Sequence, residues 1–387
     1  MHLLAAATLV LVSAVAPAPV SESSLPVVPQ MPALSGYYPV GTTDFHLVDT
    51  SRPDPWRPDQ SRELMVTVSY PATVHSGQTA PWATPAAAAA GGAILSSPAF
   101  FDLPPEPPVA WGDIRRHAFA GAPVRPGRWP VVLFSPGFQS TREMHANVVD
   151  DLASHGYAVV SVSHTYESML VEFPGGRLAP SLITNQEPAT MRTALDTRVA
   201  DLRFVLDTLP GRLPWLDFTR VGAMGHSYGG FTAAEAMLHD PRIRAGIDVD
   251  GPLELTVGAT YLPGDVVQQG LDRPLLLFGG DFGAAEQSHV DTTVTRSWAE
   301  IWPNLRGWKR DLHLDNGAHH SFSDFQWLLP QLPATPQRRA LIIGAIDPTR
   351  SLLVQHTYYP AFFGLHLQGR WTPLFETSCF PEARFIP

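Results

Sequence analysis

Residues 221–230 read Val-Gly-Ala-Met-Gly-His-Ser-Tyr-Gly-Gly. A serine hydroxyl is a poor nucleophile at neutral pH. It needs a base within hydrogen-bond reach, an acid to orient that base, and donors for the oxyanion that develops. Gly225-His226-Ser227-Tyr228-Gly229 has the spacing that seats a serine on a sharp turn between a strand and a helix. The glycines two before and two after keep side chains from colliding there. That spacing arises often by chance, so its context decides: a strand before and a helix after. Val221–Met224 is apolar, and "GFTAAEAMLHD" (230–240) reads as a helix. Ser227 is therefore the candidate nucleophile, at a helix N-terminus whose dipole favours negative charge. A phosphate-binding loop is disfavoured because no Gly-Lys-Ser/Thr follows.

The partners of such a serine come from other parts of the chain. One oxyanion donor is the N–H of the next residue, Tyr228, and the second should come from the loop after an earlier strand. "FSPGFQS" (134–140) is such a loop, and the Phe138 N–H is nominated. A base is expected after the last strands, where "DNGAHHSFSDF" (315–325) offers His319 and His320. His226, flanking the serine, reads as a packing residue, and His356 and His366 fall on a C-terminal helix. The acid stays open. Asp248 and Asp250 end one strand and Asp281 ends the next. The usual position in this architecture favours Asp281, Asp250 is sterically as plausible, and spacing does not decide between them.

These residues need a scaffold, and from residue 130 the pattern supplies one. Apolar strands are expected at 130–136, 157–163, 220–225, 244–250, 274–280 and 308–315, and helices at 141–156, 189–209, 230–240, 337–346 and 350–368. Upstream, 62–72 reads as a strand ending at Pro71. Strands apolar on both faces, alternating with helices, predict an α/β fold with a mostly parallel sheet covered on both sides. Residues 73–129 are rich in Pro, Ala and Gly and show no sustained period. They are expected to form an insertion over the surface, a lid or rim carrying Phe100, Phe101, Leu103 and Trp111. Residues 371–387 are expected as a C-terminal tail.

The chain has 387 residues, 44% hydrophobic and 16% charged, which suits a single large globular domain spanning 36–370. Its formal net charge of −10 argues against a nucleic-acid partner and gives no general attraction to anionic membrane. The one cysteine, Cys379, excludes an internal disulfide and a cysteine metal site. Residues 1–18, with the apolar run 3–16 and Ala14-Val15-Ala16, fit a secretory signal peptide despite lacking Lys or Arg at the start, and 19–35 an extended lead-in. Secretion is the expectation.

"GHSYGG", "RIRAGIDVDG" and "HHSFSDF", in that order, resemble the platelet-activating factor acetylhydrolases of the plasma and intracellular type II kind, lipoprotein-associated phospholipases A2 of the alpha/beta-hydrolase fold. "YPVGTTDFHLVD" (38–49), "VSYPA" and "FSPGFQS…DLASHGYAVVSVSH" are similar to that family's opening strands and oxyanion region, and the C-terminal "GAIDPTRSLLVQHTYYPAFFGLHLQG" to its bacterial members. The resemblance implies Ser227 as nucleophile, Asp250 rather than Asp281 as acid, His319 rather than His320 as base, and Phe138 and Tyr228 as oxyanion donors. It implies hydrolysis of short or oxidised sn-2 acyl esters of phospholipids, without metal or cofactor and with transient contact to a lipid surface. Two features depart from the family: Pro136 stands where a His often precedes the loop glycine, and the proline-rich 73–129 has no evident counterpart of the animal enzyme's docking helices. A general lipase or cutinase-like polyester hydrolase is the alternative within the same chemistry. A non-catalytic binding protein is disfavoured because all three triad residue types are available.

Overall fold

Apolar runs that lack a polar parity can be strands only if both faces are covered. The computed structural model describes residues 24–74, 77–257 and 260–387 and meets that requirement. The expected signal segment lies outside the described residues. The strands of the central sheet are β1 (Val40–Pro53), β2 (Ser61–Pro71), β3 (Thr79–Pro81), β4 (Arg115–Ala120), β5 (Trp129–Ser135), β6 (Ala158–Ser163), β7 (Leu216–His226), β8 (Ile243–Val249), β9 (Leu275–Phe282), β10 (Lys309–Leu314) and β11 (Ala383–Phe385). They form one sheet in the order β11-β10-β9-β8-β7-β5-β6-β2-β1-β4-β3, with the two-residue strand Ala285–Glu286 also on β9. From β6 across to β10 every pairing is parallel. β2 runs antiparallel to both β6 and β1.

The main helices are α1 (Pro85–Ser96), α2 (Ala146–Ser154), α3 (Pro188–Thr208), α4 (Tyr228–His239), α5 (Pro336–Ile343) and α6 (Pro348–Gln368). Strand alternation sorts the core into two layers. Val131 and Leu133 of β5 face the α3 and α4 side with Leu202, Val205, Phe231 and Ala234. Val132 and Phe134 face the other side with Val148 and Val149 of α2 and Phe362 and Phe363 of α6. Each fully buried side chain of this size contributes roughly 1.5–3 kcal/mol.

The topology also creates the place for a site. The chain passes from β5 through α2 to β6 on one side, then returns through α3 to β7 on the other side of β5. Loops leaving β5 and β7 therefore diverge, opening a crevice beyond the carboxyl ends of these strands.

The expected surface insertion at 73–129 is corrected by the structure. Its alanine tract is α1, started by Thr84, whose hydroxyl accepts from the Ala87 N–H, and by Pro85 in the first turn. Alanine and glycine carry too little contrast to show a helical period, which is why the sequence pattern missed it. β3 and β4 extend the central sheet. Phe101 and Trp111 are buried, not exposed, packed with Leu95, Ile114 and, from far along the chain, Phe325 and Leu328. Two smaller differences follow the same logic of packing. The expected tail contains β11, which pairs with β10, and buries Phe375 and Ile386. The helix expected from 141 begins as a 3-10 turn over Arg142–His145 before α2. Cys379 is exposed. Among the described residues, no helix is long and apolar enough to cross a membrane.

Candidate active site

β7 is buried from Val221 through His226 and α4 begins at Tyr228, so one residue must turn the chain. Ser227 does so at φ 58° and ψ −128°, a conformation that costs a non-glycine residue on the order of 1–3 kcal/mol. The strain is held by its neighbours. The Ser227 N–H donates to the Val249 carbonyl at 2.7 Å, and the Ser227 carbonyl accepts from the Gly230 N–H at 2.8 Å. The flanking glycines are required by contact. A Cβ on Gly229 would lie 1.9 Å from the Ser135 carbonyl oxygen, and one on Gly225 would lie 2.2 Å from the Gly229 carbonyl.

The loop after β5 reaches this turn, since a Cβ on Gly137 would come within 3.3 Å of Ser227 Cβ. The rings of Phe138 and Tyr228 meet edge to face at 5.8 Å. Tyr228 opens α4, where helix geometry leaves the backbone N–H without an intrahelical acceptor.

Of the three aspartates left open by spacing, Asp250 is the one bonded to His319: His319 Nδ1 lies 2.5 Å from Asp250 Oδ2. Asp250 sits just past β8 at φ 53°, buried, with its N–H donating to the Phe278 carbonyl at 2.9 Å. Its Oδ1 accepts from the Gly280 N–H at 2.9 Å, so both carboxylate oxygens are engaged. Asp281 is turned elsewhere. It accepts from His313 Nε2 and from the Asn316 N–H, both at 2.8 Å, and so braces the turn ahead of His319 without touching it. Asp248 is enclosed against Trp298 and the Gly251 N–H; burial, with the Asp250 carboxylate beside it, pushes its carboxyl well above the usual range.

His319 occupies a 3-10 turn after β10, and its side chain is one-third exposed. Three other imidazoles surround it. His226 Nε2 donates to the His319 carbonyl at 2.8 Å, which leaves its Nδ1 to accept from His145 Nε2 at 3.3 Å. Burial pushes His145 and His320 down to about 3 and His226 well below its ordinary value. They stay neutral near pH 7 and add no positive charge beside His319. His226 is thus the packing residue expected, with the further task of holding the His319 backbone. His356 is buried and bonded to Asn147, away from this cluster.

Asp324 and Trp82 were missed by reading the sequence. Asp324 Oδ2 accepts from Trp82 Nε1 at 2.8 Å and from the Ala146 N–H at 3.1 Å, and Oδ1 accepts from the Asn147 N–H at 3.1 Å. The last residue but one of "HHSFSDF" thereby caps the start of α2 and ties the His319 loop to the 73–129 segment. The acidic residue in the motif was a signal, but its partners lie 242 and 178 positions away.

Ser227 and His319 open onto one cavity of about 240 Å³, walled by Phe100, Phe138, Met144, Met169 and Phe325. Phe100 of that wall comes from the 73–129 segment. Among the described residues, two groups bring three metal-ligating side chains within 4.8 Å: His226, Asp250 and His319, and Glu235, His239 and Asp265. In the first, both His226 nitrogens and His319 Nδ1 are already hydrogen-bonded. In the second, Glu235 accepts from the Val266 N–H and Asp265 is paired with Arg192.

The sheet order, the serine on a positive-φ turn at the switch point and the His–Asp pair beside it define an alpha/beta-hydrolase fold with a site of the serine-hydrolase type. The chain belongs to the family described as "Platelet-activating factor acetylhydrolase, isoform II", whose model matches residues 28–174 and 192–370. It is 30% identical over 277 residues, 66% of each chain, to a "Probable 1-alkyl-2-acetylglycerophosphocholine esterase" of Arthroderma benhamiae. It is 25% identical to the "Platelet-activating factor acetylhydrolase" of Cavia porcellus, over 56% of this chain and 53% of that one. The alignments thus span about half to two thirds of the length of these relatives. Among solved structures, a ferulic acid esterase from Streptomyces cinnamoneus superposes with a TM-score of 0.77 at 34% identity, covering 93% of this chain and 99% of that one.

Proposed function

We propose that this protein is a serine carboxylic ester hydrolase that cleaves short acyl esters, with phospholipids of the platelet-activating-factor type as the leading substrate class. The observation that carries the reading is the buried Asp250 bonded to His319 at 2.5 Å, beside a serine on a positive-φ turn that lines the same cavity.

The chemistry follows from the groups. Asp250, an acceptor at both oxygens, fixes the proton of His319 on Nδ1 and leaves Nε2 as the base. His319 takes the Ser227 proton as Ser227 Oγ attacks the acyl carbonyl, and Asp250 stabilises the imidazolium. The backbone N–H groups of Phe138 and Tyr228 receive the oxyanion. His319 then protonates the leaving alcohol. Water, deprotonated by His319, releases the acid from the acyl-enzyme.

A cavity of about 240 Å³ next to Ser227 suits a small acyl group and leaves the remainder of an ester outside. The names of the curated relatives support an acetyl ester of a glycerophosphocholine. A second reading, an aryl acyl ester, is favoured by the ferulic acid esterase likeness and by the walls of Phe100, Phe138 and Phe325. The test is a substrate panel: acetyl, butyryl, long-chain and feruloyl esters, each with and without a phosphocholine head group, for the wild type and Ser227→Ala. Loss of turnover and of fluorophosphonate labelling in Ser227→Ala is expected; full turnover in that variant rejects the reading. Higher kcat/KM for the acetyl phosphocholine ester than for the feruloyl ester selects the first substrate class, and the reverse selects the second.

A further inference from the structure

Arg198 lies on α3 and is fully buried. Its five N–H donors are all used. Nε donates to Glu167 Oε2 at 2.6 Å, and one Nη2 donor goes to Glu167 Oε1. The rest go to the loop after β5: Nη1 to Ser135 Oγ at 3.1 Å and to the Pro136 carbonyl at 2.7 Å, and Nη2 to the Gly137 carbonyl at 2.9 Å.

The last of these contacts has a geometric consequence. The Gly137 carbonyl and the Phe138 N–H belong to one peptide unit, planar and trans, so they point in opposite directions. Holding the Gly137 oxygen against the guanidinium aims the Phe138 N–H the other way. The guanidinium carbon also sits 5.0 Å from the centre of the Tyr228 ring, and the Tyr228 hydroxyl donates to the Met191 carbonyl of the same helix. One buried cation on α3 thus holds the carbonyl of the peptide unit that carries one proposed oxyanion donor and lies against the ring of the residue that carries the other. The following residue, Gln139, is at φ 56°, an uncommon conformation for a side-chain-bearing residue, so the loop needs holding. Ser135 Oγ is fixed from its other side by His164 Nε2 at 2.9 Å, and His164 Nδ1 by Asp201 at 3.0 Å.

A buried ion pair is weak evidence for stability, because well-packed apolar residues often do as well. Its value here is direction. We propose that Arg198, held in place by Glu167, is a positioning residue that aims the Phe138 N–H into the oxyanion hole. This rests on the serine-hydrolase reading above.

Arg198→Lys keeps the charge and removes the planar fork of five donors. It is compared with the wild type and with Arg198→Met/Glu167→Leu, which leaves no buried charge unpaired should the lysine variant fail to fold. The measurements are kcat and KM on p-nitrophenyl acetate, the affinity for a trifluoromethyl ketone that forms an oxyanion on Ser227, and melting temperature. Deleting an oxyanion donor costs about 10²–10³ in kcat, so misdirecting one is expected to cost about 10–100-fold. KM should change less than about threefold, and ketone affinity should fall by the same factor as kcat. A folded variant with wild-type kcat and ketone affinity overturns the proposal, as does a rise in KM at unchanged kcat. Ser227→Ala separates the two levels: if it stays active the hydrolase reading falls, and if it is inactive the Arg198 variants judge the positioning role alone.

Discussion

Asp250→Asn is the substitution that tests the site most directly. It keeps shape, and its Oδ1 can still accept from the Gly280 N–H. What it removes is the negative charge 2.5 Å from His319 Nδ1. With charge centres about 4 Å apart and an effective dielectric near 20, that charge is worth about 4 kcal/mol to the imidazolium formed during acylation. Each 1.36 kcal/mol is tenfold in rate, so kcat should fall about 10³-fold. Loss of control over which nitrogen carries the proton extends the fall toward about 10⁴. KM should stay within a few-fold, because no substrate contact is removed. The assay is steady-state hydrolysis of p-nitrophenyl acetate, with Asp281→Asn alongside. Asp281 bonds His313 and Asn316 and does not reach His319, so its variant should keep kcat within about tenfold. A loss under tenfold for Asp250→Asn, or a comparable loss for Asp281→Asn, would refute the assignment of the acid.

Three further outcomes are expected. Gly229→Ala, whose Cβ would lie 1.9 Å from the Ser135 oxygen, should distort the turn and abolish esterase activity, with a lower melting temperature in calorimetry. Phe100→Ala should enlarge the cavity and raise kcat/KM for longer acyl chains relative to acetyl, read from a chain-length series, while melting changes little because Phe100 is only half-buried. For His145 and His320, both pushed down to about 3 by burial, the unfolded chain binds more protons between pH 3 and 6.5. Their contribution to stability is therefore complete above about pH 6.5 and lost as pH falls, by up to about 1.4 kcal/mol per pH unit for each histidine. Urea midpoints from pH 8 to 5 should show a slope that His145→Asn reduces.

Much of the scaffold was legible because it is written in local terms. The parallel strands are apolar on both parities, and α3 and α4 carry their apolar residues in sequence, so local periodicity marked them. Ser227 was legible for the same reason: a nucleophile turn needs its glycines, its strand and its helix within a dozen residues. The 73–129 segment was not legible. Alanine and glycine give no amphipathic contrast, and the reason that Phe101 and Trp111 are buried is Phe325 and Leu328, contributed by a distant part of the chain.

The residue types themselves determined which chemistry was available: one serine on a forced turn, a histidine-rich loop after the last parallel strand, and aspartates at two strand ends. The choice among those aspartates was a matter of direction, which short-range pattern does not carry. Asp250 leaves β8 at positive φ and is carried toward His319, while Asp281, one strand over, is captured by His313. The Gly137 carbonyl is likewise held by Arg198, 61 positions away on the crossover helix between β6 and β7. Contacts between residues far apart in the chain exist only once the sheet has assembled, and at this site those contacts decide which aspartate pairs with His319 and what holds the loop beside Ser227.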